Sequence, residues 1–320
     1  MADRQMSLAD ALVDPRLGSN AKLERIDALI DWSELERLVT KLRPGHTGRP
    51  PYAPLSMLKA LYLQALYDLS DPGLEEALWD RMSFRRFCGF SFDHGTPDET
   101  TLCRFRQAAA EAGVLETCLN AVNRQLMAKG LMLKKGTLMD ATLIKAQHNP
   151  PKREEVGAGG RHPKEPEADW TRKDGKFLFG YKAHVAVDEG SGLLRQVIVT
   201  SAKVNDGEVA DQLVQGDERA IYADKAYDKR ARREQLKAMG IKDRIMHRRG
   251  KYQPVLPHWQ VRRNHLISRR RAPVEAVFSA MKRIYGLGRA RCSTLSRNAA
   301  DIFAFATVYN LRRADLLSRA

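Results

Sequence analysis

Three carboxylates stand where their chemistry needs an explanation. Asp140 ends the apolar run TLMD and Asp224 ends the similar run IYAD, both predicted strands. Unpaired charge resists burial at such positions. Glu275 is the only acid in residues 269–291, which carry seven Lys or Arg. If the two strands are adjacent and the Glu275 helix lies nearby, the three carboxylates repel one another and raise one another's pKa.

A divalent cation would relieve this repulsion. Mg²⁺ prefers a few carboxylates together with waters and phosphate oxygens. Two such ions, on the order of 3.5–4 Å apart, activate a water or a 3′-hydroxyl and stabilise the leaving oxygen in phosphodiester cleavage or transfer. Asp140, Asp224 and Glu275 are therefore candidate catalytic residues and candidate ligands of Mg²⁺, which Mn²⁺ can replace.

Each acid also has a structural explanation. An Asp at the end of a strand often caps the following turn, and taken singly this interpretation is the stronger one for Asp140 and for Asp224. Glu275 would lie near a helix N-terminus, where the helix dipole favours an exposed acid. Spacing alone leaves the two interpretations of Glu275 about even.

The segment around Glu275 is predicted to be an amphipathic helix with Pro273 in its first turn. Glu275 and Lys282 are seven residues apart, so they lie roughly 20° from each other on the helix. They are off the apolar stripe, and Lys282 could hold a DNA phosphate beside Glu275. The stripe predicted to face the core consists of Val274, Val277, Phe278, Met281 and Tyr285.

Positive charge is concentrated in one part of the chain. The 320 residues carry 54 Lys/Arg and 39 Asp/Glu, a net charge of +15, and residues 228–291 contribute 19 basic and four acidic side chains, which account for all of it. A solubility device would spread its charge, whereas a polyanion-binding surface concentrates it. Apolar residues recur within the segment, so we expect it to be folded and to bind nucleic acid.

The order of predicted elements changes near residue 130. Residues 1–128 are predicted to be helical, with Asp98 starting the last helix of that part. Residues 129–320 are predicted to form an α/β domain in the order β, β, β, α, β, α, β, α, a mixed five-stranded sheet flanked by helices. Residues 149–176, rich in Gly and Pro, are expected to be an exposed loop, and a basic irregular segment is expected before the Glu275 helix.

These motifs resemble the DDE transposases of bacterial insertion sequences, in the insertion-sequence-five group. The family's C-terminal signature, Arg, three residues, Glu, six residues, Lys, is matched by Arg271, Glu275 and Lys282. GTLMDAT around Asp140 and ADKAYD around Asp224 are similar to its two Asp motifs. Further similarities lie in GYKAHVAVD, TPDETTLCRFR and YNLRRADLL. Fuller signatures carry Tyr three residues before the Arg, where this chain has Ser268.

The resemblance implies an RNase H-like catalytic domain that cuts and joins DNA strands at the ends of a mobile element, using Asp140, Asp224 and Glu275 to bind two Mg²⁺ ions. It implies no covalent protein intermediate, and DNA contacts by Arg271 and Lys282. Residues 1–128 would bind DNA ends and dimerise, and the expected partners are double-stranded DNA, both the terminal inverted repeats and the target, and a second copy of the chain in the synaptic complex.

Other basic residues are predicted to contact DNA: Arg248, Arg249, Arg262, Arg263, Arg269, Arg270 and Lys182. Trp259 and Tyr252 are interleaved with them and could stack on frayed bases, although anchoring the loop explains Trp259 equally well. Tyr181 and His184 are weaker candidates, since His184 suits a hydrogen-bonded strand histidine. In the N-terminal part, Arg43, Arg49, Arg104 and Arg106 are candidates for recognising the inverted repeats.

Two alternatives share the fold: a transposase derivative that has lost catalysis, and an RNase H-like nuclease without end specificity. A basic scaffold protein would not explain the three acids. The four isolated cysteines have no zinc spacing and predict reduced, mostly buried thiols. The opening MADRQMSLADALV lacks a signal peptide pattern, and no apolar run approaches the ~18–20 residues of a membrane span. We therefore expect a cytoplasmic, nucleoid-associated protein.

Overall fold

A computed structural model describes residues 18–42, 52–151, 161–173, 175–250 and 254–319. The chain divides into two compact units. The first comprises Met1–Leu126 together with Phe303–Ala320, and the second comprises Met127–Ile302. The last helix of the chain therefore contributes residues to both units. Arg43, Arg49 and Tyr252 lie outside the described residues.

The first unit is helical, as predicted. Asp98 caps helix α6, since its carboxylate accepts a hydrogen bond from the backbone N–H of Thr101 at 2.6 Å. Leu35, Leu58 and Leu74 are fully buried in this unit. Its helices are α1 (Ala21–Leu29), α2 (Trp32–Val39), α3 (Pro54–Tyr67), α4 (Asp71–Asp80), α5 (Met82–Cys88), α6 (Glu99–Glu111) and α7 (Val114–Ala128), followed at the C-terminus by α12 (Leu295–Leu317).

The two arginines proposed as DNA contacts on α6 differ in their surroundings. Arg106 is an internal side chain: its guanidinium pairs with Asp71 and donates to Gln64 Oε1 at 2.8 Å, and 12% of the side chain is exposed. Arg104 is exposed. The position of Arg106 therefore supports a packing role, because its donors already have partners within the unit.

The second unit is built on a mixed sheet flanked by helices, which confirms the predicted RNase H-like fold class. The strand order is β2-β3-β1-β5-β6, and β4 also pairs with β3. Strands β1 and β3 are antiparallel, whereas β1 and β5, and β5 and β6, are parallel. The strands are β1 (Thr137–Lys145), β2 (Asp169–Lys173), β3 (Lys176–Asp188), β4 (Leu194–Ser201), β5 (Ala220–Ala223) and β6 (Lys242–Ile245).

The described part of this sheet has six strands, one more than predicted. The additional strand, β2, lies in residues 149–176, where the composition predicted a loop. Its sequence DWTRK is polar, and it is ordered by pairing with the N-terminal part of β3, from Asp169 opposite Gly180 to Lys173 opposite Lys176. Pairing with a long neighbouring strand is a tertiary effect that local composition does not record. Residues 152–160 of the predicted loop lie outside the described residues.

Helices pack around the sheet and carry the basic segment. The expectation of an irregular segment before the Glu275 helix was wrong, because α10 runs from His258 to Arg271. Ala272 separates it from the next helix, where Pro273 occupies the first turn as predicted and cannot donate to the preceding helix. The helices are α8 (Asp206–Val209), α9 (Arg230–Ala238), α10 (His258–Arg271) and α11 (Pro273–Arg283).

The core stripe predicted on the Glu275 helix is confirmed, as all five of its members are buried: Val274, Val277, Phe278, Met281 and Tyr285. The prediction for the cysteines holds for two of them. Cys88 and Cys118 are buried, whereas Cys292 is half-buried and Cys103 is exposed. All four are free thiols.

Gly180 is required where β3 passes between β1 and β2. It has a φ of +150°, and a Cβ there would collide with the carbonyl oxygen of Ile144 and lie 2.6 Å from the backbone nitrogen of Ala146. Gly180→Ala should therefore lower the free energy of unfolding by more than about 2 kcal/mol, measured by chemical denaturation.

Gly175→Ala is the matched control. Gly175 has a φ of +78°, but no described atom lies within 4 Å of the added Cβ, so only the backbone strain of about 1–2 kcal/mol remains. Equal losses in the two variants would show that the close approach of β1 is not the reason for Gly180.

Candidate active site

Parallel pairing of β1 with β5 brings the two candidate aspartates together. Thr137 pairs with Ile221 and Leu138 pairs with Tyr222. Continuing this register by two residues would place Asp140 beside Asp224, which directly follows the last residue of β5. Adjacent strands are about 4.8 Å apart, so the two residues lie near each other where β1 pairs with β5.

Asp224 has the capping role that the structural interpretation assigned to both aspartates, whereas Asp140 does not, because it lies within β1 rather than at its end. Asp224 caps the short 3₁₀ turn Lys225–Tyr227, and its Oδ1 accepts from the N–H of Lys225 at 2.5 Å. Asp140 Oδ1 accepts from the N–H of Ala141 at 2.9 Å. Each of these hydrogen bonds uses Oδ1, so for Asp224 the capping and functional interpretations are compatible.

Arg271 forms an ion pair with the other oxygen of Asp140. Its Nη2 lies 2.7 Å from Asp140 Oδ2, and the two side chains are 13% and 22% exposed. Arg271 is the last residue of α10, while Glu275 lies in the first turn of α11 and is exposed. The break between the two helices thus sets a cation and an acid of the signature beside Asp140.

Burial and neighbouring charges both act on Asp140. The pKa of its carboxyl group is raised, mainly by burial and further by the charges of Glu275 and Asp224. The charge of Arg271 and the hydrogen bond from Ala141 oppose this shift. The three acids predicted from the sequence are therefore close enough to interact electrostatically, and Arg271 partly neutralises them.

The carboxylates do not close around a common centre in this conformation. Within the described ranges, no group of three or more His, Cys, Asp or Glu side chains is arranged to hold a metal ion. The cation that Asp140 contacts here is the guanidinium of Arg271.

Sequence reasoning missed Tyr227 and Asp206 as neighbours of the acids. Tyr227 is 1% exposed, and burial, followed by the charges of Asp206 and Asp140, raises the pKa of its hydroxyl well above the usual range. The motif ADKAYD contains this tyrosine, so its spacing from Asp224 was the available signal. Asp206 lies at the start of α8, which no pattern connected with the site.

Lys182 and His184 are held internally on β3. The Lys182 ammonium donates to Val204 O at 2.7 Å and lies 2.9 Å from Asp206 Oδ1. His184 is fully buried and its Nε2 is 3.0 Å from Thr200 Oγ1. These contacts support the interpretation of His184 as a hydrogen-bonded strand histidine, and they do not present Lys182 to a ligand.

The predicted DNA-binding arginines of α10 line a groove of about 780 Å³ together with Trp259. Arg262 and Arg269 are exposed there, and Arg270 is 69% exposed beside Glu189, at 3.2 Å. Arg263 has a different environment, because it donates to the carbonyl oxygens of Ile245 and Asp243, both at 2.7 Å. Its donors hold α10 against β6.

Trp259 is 59% exposed, and its ring packs edge-on against His247 at 5.4 Å between centroids. It therefore has a contact that anchors it and a surface left free for a ligand. Arg248 and Arg249, which follow β6, are exposed.

Family comparison decides the identity of the chain. The family model described as "Transposase DDE domain" matches residues 132–311, more than half of the chain, and this range contains all three acids. The chain belongs to the DDE transposase family. A second model, "Transposase domain (DUF772)", matches residues 12–108 of the transposase.

Among solved structures, the transposase is similar to that described as "Cryo-EM structure of piggyBac transposase synaptic complex with hairpin DNA". The similarity has a TM-score of 0.48 at 10% identity and covers 96% of this chain and 78% of that chain. The family assignment rests on the matched domain models. In the part of the transposase that the structure describes, no helix is long and apolar enough to cross a bilayer.

His184 of the transposase makes stability depend on pH. Burial lowers its pKa from 6.5 to about 4, with Lys182 adding to the shift and Asp206 opposing it. An unfolded His binds a proton near pH 6.5, whereas folded His184 does not until about pH 4, so stability falls as the pH falls through this window. Between pH 7 and pH 5, protonation of His184 in the unfolded state lowers the free energy of unfolding by about 2 kcal/mol.

His184→Gln should remove that contribution, so its free energy of unfolding should fall less than that of the unmodified protein between pH 7 and pH 5. His94→Gln, which changes an exposed histidine, serves as control. Parallel pH profiles for all three proteins, measured by urea denaturation, would refute the assignment of a neutral, buried His184.

Proposed function

We propose that this transposase binds the ends of an insertion sequence and catalyses metal-dependent DNA cleavage and strand transfer. The observation that supports this most directly is that parallel pairing of β1 with β5 brings Asp140 near Asp224, with both Asp224 and Glu275 close enough to raise the Asp140 pKa. Clustering these like charges disfavours the ionised state unless a cation compensates them. The resemblance to the insertion-sequence-five group, carried by Arg271, Glu275 and Lys282, supports the same activity.

The residues fit a divalent metal by their chemistry. Asp140, Asp224 and Glu275 offer only oxygen donors, which Mg²⁺ and Mn²⁺ prefer. The guanidinium already paired with Asp140 shows that the site accommodates positive charge. Bound Mg²⁺ would activate a water or a 3′-hydroxyl and stabilise the leaving oxygen of a phosphodiester.

The protein's own side chains would position the DNA. Arg271 reaches the acids from α10, and Lys282 lies two turns beyond Glu275 on α11, so both can neutralise phosphates beside the reacting one. Tyr227 is too deeply buried to attack a phosphate. As the resemblance to the insertion-sequence-five group implies, water and then the freed 3′-hydroxyl would attack, without a covalent protein intermediate.

Recognition of the ends and pairing of two copies complete the proposal. The exposed arginines Arg262, Arg269 and Arg270 give the α10 groove an excess of positive charge suited to a DNA backbone. Two element ends must be held together for transposition, and a dimer on DNA provides two active sites for them. The helical N-terminal unit, which matches the second transposase model, is proposed to recognise the inverted repeats.

Replacing any of the three acids should abolish catalysis. Asp140→Asn, Asp224→Asn and Glu275→Gln should each reduce cleavage by at least about 10³-fold, since the ligand set would lose a charged oxygen. The assay uses a supercoiled plasmid carrying the element's ends in the presence of Mg²⁺. DNA binding without metal should persist, which separates loss of chemistry from loss of folding.

Glu234→Gln is the control, because Glu234 is an exposed acid paired with Arg230 on α9. It should cut as well as the unmodified protein. Full activity in the three acid variants would overturn the metal-site proposal. An inactive unmodified protein that binds ends would instead indicate a lapsed derivative, and equal cutting of DNA without inverted repeats would indicate a nuclease without end specificity.

Arg271 should compete with the metal for Asp140. In the absence of DNA, Arg271→Gln should bind Mn²⁺ more tightly, on the order of three- to tenfold, because Asp140 no longer has a guanidinium partner. Calorimetric titration with Mn²⁺ measures this directly and does not depend on turnover.

Arg270→Gln provides the comparison, since it removes a neighbouring charge that contacts Glu189 instead of Asp140. If both variants bind Mn²⁺ equally, the ion pair with Asp140 does not oppose metal binding.

A further inference from the structure

A second basic groove lies at the C-terminal end of β1, away from the α10 groove. Its volume is about 770 Å³. Four exposed cations line it, while its other lining residues are apolar or glycine, and no carboxylate among the described residues lines it. The four cations are Lys145, Lys173, Lys282 and Arg289. Of these, only Lys282 belongs to the signature.

Backbone hydrogen bonds fix the shape of this groove. The N–H of Lys145 donates to Gly288 O at 3.1 Å, and the N–H of Ala290 donates to Lys145 O at 2.7 Å. Arg289 is thereby held alongside the end of β1. A Cβ on Gly288 would lie 4.0 Å from Lys282 Cγ, so the lysine stem passes over a glycine. The cations therefore project from a rigid frame.

The cations in this groove are close enough to repel one another. Burial is the main cause that lowers the pKa of the Lys282 ammonium, and the charges of Lys173 and Lys145 lower it further, against the opposing charge of Glu275. None of the four cations forms an ion pair with a described carboxylate. Uncompensated like charges gathered in one cleft create a strong positive potential, which attracts a polyanion.

The groove is connected with the acids through α11. Lys282 is seven residues beyond Glu275 on α11, a rise of about 10 Å. Lys145 is five residues beyond Asp140 on β1, so strand alternation turns the two side chains to opposite faces, and Lys282 is the cation that connects the groove with the acids. A DNA strand whose reacting phosphate lay at the acids would thus place neighbouring phosphates within reach of the groove.

We propose that Lys145, Lys173 and Arg289, together with Lys282, bind the phosphodiester backbone of the DNA that leads away from the acids. This deepens the proposed function and rests on it for the position of the reacting phosphate. The same backbone chemistry belongs to the element's own end and to the target DNA, and the test separates the two sources.

The test removes three charges and measures salt dependence. The triple variant Lys145→Gln/Lys173→Gln/Arg289→Gln is compared with Lys237→Gln/Lys242→Gln/Arg219→Gln, which removes three exposed cations outside the groove. Binding to labelled duplexes is measured by fluorescence anisotropy without divalent metal, between about 50 and 200 mM salt. Each lost phosphate contact reduces the magnitude of the slope of log K against log salt by about 0.9. The loss of three contacts in the groove variant should therefore make this slope shallower by about 3.

Two duplexes distinguish the source of the DNA. A slope change confined to the duplex carrying the inverted repeat assigns the groove to the element's end, and an equal change on an unrelated duplex assigns it to DNA backbone of any sequence, including the target. Unchanged slopes on both duplexes, or an equal change in the control, would overturn the proposal. If the triple variant does not fold, single variants that each lower the slope by about 0.9 provide the same test.

Plasmid cleavage by the unmodified protein tests the proposed function independently. Cleavage of the ends with unchanged slopes in the groove variant would refute the groove alone. Reduced slopes in the groove variant, with no cleavage by the unmodified protein, would refute the proposed function and leave the groove as a DNA-binding site. Replacement by Lys145→Arg/Lys173→Arg/Arg289→Lys, which keeps every charge, should retain the slope of the unmodified protein.

Discussion

The accumulation of negative charge where β1 pairs with β5 is the constraint on which the surrounding structure depends. Asp140 and Asp224 lie side by side because their strands pair in parallel, and Glu275 adds a third charge. Such a cluster requires a cation, and in this conformation Arg271 provides it through a half-buried ion pair. The same arrangement suits a site that exchanges one cation for another when substrate phosphates arrive, because the guanidinium can move from a carboxylate to a phosphate without losing a partner.

This constraint explains why the two helices α10 and α11 are separate. A continuous helix through residues 258–283 would carry Arg271 and Glu275 four residues apart on one face. The break at Ala272 and Pro273 lets Arg271 reach Asp140 while Glu275 stays exposed in the first turn of α11. The buried stripe of α11 then fixes the direction of Lys282. The helix break at Pro273 therefore lets Arg271 pair with Asp140 while Glu275 remains exposed.

The basic residues fall into two groups that charge counting does not separate. Arg263, Arg106 and Lys182 have their donors satisfied inside the protein, by carbonyl oxygens, carboxylates or amides. Arg262 and Arg269, in contrast, are exposed at grooves. The net charge of +15 predicts a polyanion partner, but only part of that charge is exposed. The same composition supports both packing and binding because guanidinium groups serve either purpose.

Several features were determined by the sequence itself. The cap at Asp98, the start of α11 at Pro273 and its buried stripe all follow from local rules of capping, proline geometry and periodicity. The end of β5 just before Asp224 was also predicted correctly, whereas β1 continues through Asp140 to Lys145. The motif spacing also identified the family that the domain models match. Tertiary structure alone decided the pairing of Asp140 with Arg271, the ordering of β2 and the convergence of Lys145, Lys173 and Arg289. These depend on strand register and on contacts between residues distant in the chain, which local spacing does not encode.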